Sequence, residues 1–291
     1  MMPNSTIPEV DQYMGFWKPH SSSIDFCERN YENSHHVVEL HNTWSSLVGI
    51  SLFGLIGLIW GNPTKEIRYT LAHSLLLFIG LGSAGLHGTL HWIFQSSDEL
   101  PMVYLVAIYM YMGFELDSKK DQLHYPRMPL IMSILLLINT VVYYAFQHLY
   151  IVFILTYSTL ATVNAFLLYN NAIRKNMGGD MGRRIGRRAL IAYVGIGVPI
   201  WFIDMGMCDW VLTNVANATF GMTLHVIWHI AAGYGAYCIT ATLEYCRMVS
   251  LGLPCECKFW MGFIPFNYLL EAEGLEKTNA SNRKTDGKKD A

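Results

Sequence analysis

The chain has 291 residues, of which 52% are hydrophobic and 14% charged, with a formal net charge of -2. A soluble domain carries roughly 25% charged residues, so the deficit, with a mean hydropathy of +0.26, points to lipid as the main solvent. The charge balance excludes a nucleic-acid partner, because no basic excess exists to neutralise phosphates. Residues 1–20 are polar and lack the basic start and apolar block of a removable signal.

Seven stretches reach the roughly 20 apolar residues that cross a bilayer as a helix. They lie near 40–60, 69–92, 100–116, 128–147, 149–170, 188–206 and 221–246, which predicts an all-α, seven-transmembrane helical bundle. The third is short, and the fourth and fifth meet at a tight turn around Gln147 and His148. Pro129 and Pro199 fall inside spans, where neighbouring helices can satisfy the freed carbonyls. No internal repeat stands out. The chain divides into an N-terminal segment (1–37), the bundle (38–248) and a tail (249–291) that reads as disordered after 270.

Basic residues set the orientation. Of the 20 Lys and Arg, Lys18 and Arg29 precede the first span. The other 18 occupy the first, third and fifth loops and the tail, including Arg174, Lys175, Arg183, Arg184, Arg187 and Arg188. The positive-inside rule puts these in the cytosol. The N-terminus is then lumenal and the C-terminus cytosolic, as an odd number of spans requires.

Ionisable groups inside a membrane are costly and ask for a reason. The second span ends with Ser83, His87 and His91, each four residues from the next on one helix face. The seventh opens with His225 and His229, again four apart, and Asp98-Glu99-Leu100-Pro101 opens the third. The orientation puts all of these near the lumenal ends of their helices. A single intramembrane His can be a packing residue, and Asp98-Glu99 can cap a helix. Convergence of His87, His225, His229 and Asp98 at one depth points to metal instead. Three His leave the fourth place of a tetrahedral zinc open, as in catalytic sites. His91 is a rival ligand.

A second cluster, Asp25-Phe26-Cys27-Glu28-Arg29-Asn30 with Glu39 at the head of the first span, offers the hard oxygen donors that calcium takes. Its spacing is not that of an EF-hand loop, and a solvated acidic segment is the alternative. The orientation leaves two lumenal cysteines, Cys27 and Cys208, and predicts a disulfide between them; Cys238, Cys246, Cys255 and Cys257 fall in or beyond the seventh span. Asn4 and Asn217 head lumenal sequons, whereas the Asn279 sequon is cytosolic. Lys288-Lys289-Asp290-Ala291 resembles a dilysine retrieval signal, which implies the endoplasmic reticulum or Golgi.

Taken together, Gly15-Phe16-Trp17, Ile24 to Tyr31, Glu39 to Thr43, Gly82-Ser83 with His87, Asp98 to Met102 and His225 to His229 resemble the motifs of alkaline ceramidases, in order over most of the chain. The resemblance implies a zinc amidohydrolase that cleaves ceramide to a sphingoid base and a fatty acid. It assigns zinc to His87, His225 and His229, with no ligand role for His91. It assigns Asp98 as the base and Ser83 as the active-site serine. Calcium falls to Asp25, Glu28, Asn30, Glu39 and the carbonyl of Phe26, where Trp is usual; His41 stands where an aromatic is commoner. A receptor or a phospholipid or GPI-anchor lipase of the same superfamily is the alternative. A retinal receptor is excluded by the absence of Lys from the seventh span.

Overall fold

A backbone in hydrocarbon must satisfy its hydrogen bonds internally, and the apolar stretches accordingly form helices. The computed structural model describes residues 15–119 and 122–270. The elements are α1 (Leu40–Trp60), α2 (Ile67–Thr89), α3 (Trp92–Phe114), α4 (Met128–Ala145), α5 (Tyr150–Arg174), α6 (Gly179–Gly206), a short α7 (Cys208–Asn214), α8 (His225–Ser250), β1 (Cys255–Trp260) and β2 (Ile264–Leu269). Six helices are long and apolar enough to cross a membrane. The other long one, α3, has 23 residues and carries Gln95, Ser96, Asp98 and Glu99 near its start.

Those polar residues explain why the third span begins earlier than the sequence suggests. The third span was expected from residue 100, but the helix begins at Trp92, because Gln95, Ser96 and Glu99 turn inward and are buried. Only Leu90, in the left-handed conformation, and His91 separate α2 from α3. The sixth span also starts earlier than expected, at Gly179, as the arginine-rich segment continues the helix towards the polar phase. Pro129 lies in the first turn of α4 and not mid-span, a place where no N–H is needed. Pro199 directly follows a π-helical stretch, Ile191–Gly197, the kind of local adjustment that accommodates a helix irregularity.

Close approach of backbones assembles the bundle. A Cβ on Gly233 of α8 would lie 1.9 Å from the Gly49 carbonyl oxygen of α1, and one on Gly82 of α2 would lie 2.3 Å from the Ser97 carbonyl oxygen of α3. Small residues thus let α1 meet α8 and α2 meet α3, as in membrane helix pairs generally. Helix α8 is the axis of the core, while α4 is the outermost and leaves its apolar side chains facing outward.

Residues 255–269 were read as tail, but they form an antiparallel hairpin. The alternation in Cys255-Glu256-Cys257-Lys258 is a strand signal. The hairpin is held to α8 by Tyr237 Oη donating to the Pro265 carbonyl at 2.7 Å and Asn267 Nδ2 donating to the Ala241 carbonyl at 2.8 Å. The Asn279 sequon and the Lys288-Lys289 pair lie outside the described residues, as does Asn4.

Candidate metal centre

Helical periodicity places His225 and His229 on one face of α8, and α2 delivers His87 against them. The three rings are buried, with centroids 4.6 Å (His225–His229), 5.0 Å (His87–His229) and 5.2 Å (His87–His225) apart. One nitrogen from each can be chosen so that all three lie within 4.8 Å of one another. Two of the outer nitrogens are engaged: His87 Nδ1 is hydrogen-bonded to Glu39 Oε2 and His229 Nδ1 lies 2.7 Å from Ser45 Oγ. His225 Nδ1 is buried without a hydrogen-bond partner, 3.7 Å from Asp204 Oδ2. Such outer partners fix ring orientation and tautomer in metal sites. His87 Nε2 is buried and has no hydrogen-bond partner. A histidine donor set with an orphaned inward nitrogen fits zinc.

The three histidines expected to converge do cluster in the structure, but sequence reasoning missed Ser45 and Asp204. Asp204 is fully buried, and its Oδ1 accepts from the His225 N–H at 3.1 Å, capping α8. An acid inside an apolar span was the available signal. His91, the rival ligand, lies outside the triad; it caps α3, Nδ1 accepting from the Ile93 N–H at 3.5 Å.

The N-terminal segment closes over this centre. Backbone bonds from Val38 N–H to the Gly88 carbonyl (3.1 Å) and from Glu39 N–H to the His87 carbonyl (2.9 Å) lay it along the end of α2. The Cys27–Cys208 disulfide is present, with Cα atoms 5.3 Å apart, and ties the segment to α7. Phe26, expected to matter only through its carbonyl, also takes part through its side chain. Its ring packs 4.5 Å from both His87 and His225 and forms part of the cavity wall.

Asp25, Glu28, Asn30 and Glu39 meet beside it. Asn30 Nδ2 donates to Asp25 Oδ2 at 3.2 Å. Glu28 accepts the N–H groups of His41 and Asn42, both at 2.7 Å, capping α1. Glu39 Oε1 accepts from Phe26 N–H at 3.3 Å. Burial, reinforced by the charge of Glu39, pushes Asp25 up to about 8 and Glu28 up to about 7. Burial likewise pushes Glu39 to about 8. Asn30 Oδ1 is buried without a partner. Three crowded carboxyls and an orphaned amide oxygen fit a hard cation such as calcium.

Below the histidines a cavity of about 410 Å³ runs into the bundle. Ser83, Asp98, His225 and His229 line its metal end, and its wall continues along α8 to Ile239 with aromatic and aliphatic residues of α5 and α6. The fourteen steps along α8 from His225 to Ile239 cover roughly 20 Å at 1.5 Å each, enough for a long acyl chain. Ser83 Oγ lies 2.9 Å from Ser46 Oγ, whose own hydroxyl donates to the Asn42 carbonyl at 2.8 Å.

A family profile described as ceramidase matches residues 18–267. The chain is 28% identical to a protein of Arabidopsis thaliana named alkaline ceramidase, over 88% of this chain and 96% of that one. It is 29% identical to alkaline ceramidase 3 of Mus musculus, over 89% and 96%. It is 25% identical to an alkaline ceramidase of Saccharomyces cerevisiae, over 88% and 84%.

Proposed function

The chain belongs to the alkaline ceramidase family, and from that premise we propose that it is an intramembrane amidohydrolase cleaving ceramide to a sphingoid base and a free fatty acid. The observation that carries the reading is the buried triad of His87, His225 and His229 at the end of an apolar, lipid-length cavity. Zinc held by these histidines would supply Lewis acidity towards water and the amide carbonyl. Asp98, on the cavity wall, takes a proton from the attacking water on its carboxylate and returns it to the leaving amine nitrogen. Ser83 turns its hydroxyl from Ser46 to the amide oxygen and donates to it as negative charge develops. The apolar wall below receives the acyl chain and excludes water from it.

Calcium at Asp25, Glu28, Asn30, Glu39 and the Phe26 carbonyl would hold the N-terminal segment over the centre. Glu39 belongs to both clusters, since it also orients His87. We place the metal end on the lumenal side of the endoplasmic reticulum or Golgi membrane, the bilayer being the protein's and the substrate's common solvent. Asn217, exposed and on the same end as the disulfide, is the described sequon that should carry a glycan there.

Detergent-purified protein assayed on ceramides with parallel metal analysis tests the reading. Release of fatty acid and sphingoid base with one zinc per chain is the expected result. Zinc without turnover would favour a receptor, and cleavage of ester lipids in preference to amides would favour a lipase.

A further inference from the structure

The mechanism uses Asp98 and leaves its neighbour unexplained. Glu99 is 3% exposed and lines the same cavity. One oxygen is fixed: Glu99 Oε1 accepts from Gln95 Nε2 at 2.9 Å, one helical turn earlier. Gln95 is fixed in turn, its Nε2 lying 2.6 Å from Ser23 Oγ and its Oε1 accepting from the Ser23 N–H at 2.8 Å. The N-terminal segment therefore locks the carboxyl in one orientation. The other oxygen, Glu99 Oε2, is buried and makes no hydrogen bond of good geometry; the donor beside it is the Tyr143 hydroxyl, itself otherwise unpaired and near enough to interact with the carboxyl.

A buried carboxyl oxygen without a well-aligned donor is costly. Helix packing does not require it, because Leu or Met would fill the same space among Leu100, Val103, Tyr143 and Phe153. A cap does not require it either, since the α3 N-cap is His91. A locked acceptor on the cavity wall, whose second oxygen meets only the poorly aligned Tyr143 hydroxyl, can take a hydrogen bond from a substrate donor.

We infer that Glu99 is a specificity residue, its Oε2 accepting a hydrogen bond from a hydroxyl of the sphingoid base. The inference rests on the ceramide reading of the site. In ceramide the carbon bearing the amide nitrogen is flanked by two carbons that carry hydroxyls, so both hydroxyls lie within a few ångströms of the bond that Asp98 serves. Two carboxyls adjacent in sequence then divide the work, Asp98 facing the amide and Glu99 the base. A site built around a substrate hydroxyl rejects the analogue that lacks it, because its own buried polar group is left unpaired.

The test compares kcat/KM for a ceramide with that for its 1-deoxy and 3-deoxy analogues, using the full-length zinc-loaded protein. The wild-type protein should discriminate against one of the two analogues by ~10- to 100-fold, the range for a hydrogen bond to a charged group. Glu99→Leu should collapse that ratio towards one. Glu99→Gln, which keeps an acceptor for Gln95, should leave an intermediate ratio. Equal cleavage of all three substrates by the wild-type protein would overturn the inference without any variant. So would a Glu99→Leu that slows all three alike, the mark of a residue that merely positions Asp98. Absence of cleavage of every ceramide would instead overturn the activity on which the inference rests.

Discussion

Both ends of the bundle bury charge, but they treat it differently. At the end of α8 away from the histidines, Arg247 is buried and fully matched. Its Nε donates to Glu66 Oε1 at 3.0 Å, and its Nη1 donates to the carbonyls of Glu115, Leu116 and Ser118 at 3.1, 3.2 and 2.5 Å. Glu244 nearby accepts from Thr64 (3.3 Å) and Asn267 (3.3 Å). Fixed protein partners meet these charges, although Arg68 Nη1 and Asn267 Oδ1 of the same end stay unpaired, and together they tie the loops and the hairpin to the bundle. At the histidine end, carboxyls crowd one another, and His87 Nε2, His225 Nδ1, Asn30 Oδ1 and Glu99 Oε2 make no hydrogen bond. What differs is the sign of the neighbours: opposite charges pair at the Arg247 end, whereas like-charged carboxyls crowd together at the histidine end.

The largest break expected is at the histidines. His87→Ala, His225→Ala or His229→Ala should reduce ceramide hydrolysis to background and remove zinc from the purified protein. In the proposed centre each ring would supply one ligand nitrogen, and the three rings are buried together with no other histidine among them. Any one of these variants retaining full zinc content by metal analysis would disprove the triad.

Glu39 sharpens the comparison, because it joins the two clusters of the metal end. Glu39→Ala should lower zinc affinity by ~10- to 100-fold, the usual cost of removing an outer partner, and should make activity insensitive to calcium chelation. In the intact protein chelation should lower activity reversibly while zinc stays bound. The pH dependence has a definite sign. Asp25, Glu28 and Glu39 have folded pKa values of about 8, 7 and 8, above the ~4 of unfolded carboxyls. Carboxyls raised in this way stabilise the fold at low pH, and that stability is lost as pH rises from the unfolded towards the folded value. Calcium-free protein should therefore melt at lower temperature at pH 8 than at pH 6. Added calcium, which takes the ionised form, should raise Tm more at pH 8; an equal rise at both would mark the acidic segment as merely solvated.

Much of this division was legible in the sequence because it is local. The four-residue spacing of His225 and His229, the apolar lengths and the acidic string from Asp25 to Asn30 are all read along one helix or loop. The disulfide followed from sidedness alone. The pairing of Ser45 with His229 spans 184 residues, and no spacing rule encodes it. The contact of the Phe26 ring with His87 and His225 was invisible for the same reason. The start of α3 was misplaced because hydropathy counts Gln95, Ser96 and Glu99 as solvent-facing, whereas the cavity and the N-terminal segment give them partners.

The opposite end should break differently. Arg247→Met removes one of two guanidinium partners of Glu66, whose Oε2 keeps Arg68, and leaves three carbonyls without their donor; a buried polar group left unpaired costs ~1–3 kcal/mol. A fall in Tm with unchanged zinc per folded chain is expected. Loss of zinc from the folded fraction would mean that the two ends are coupled after all.

The smallest effect should come from His91, and its smallness is informative. His91 shares a helical spacing with His87, so sequence alone could not exclude it as a ligand. In the structure the helix ends at Thr89, Leu90 turns the chain in the left-handed conformation, and His91 becomes the first residue of the next element's cap. That break in the helix swings the ring away from the triad that four-residue spacing would have let it join. His91→Ala then removes only a long capping bond, 3.5 Å to the Ile93 N–H. Loss of a stronger side-chain cap costs ~1 kcal/mol, so the change in stability should be no larger. Zinc content and hydrolysis should stay at the wild-type level. A His91→Ala protein that lost zinc while His87→Ala kept it would exchange the two residues' roles and move the metal from the α2 face to the α2–α3 turn.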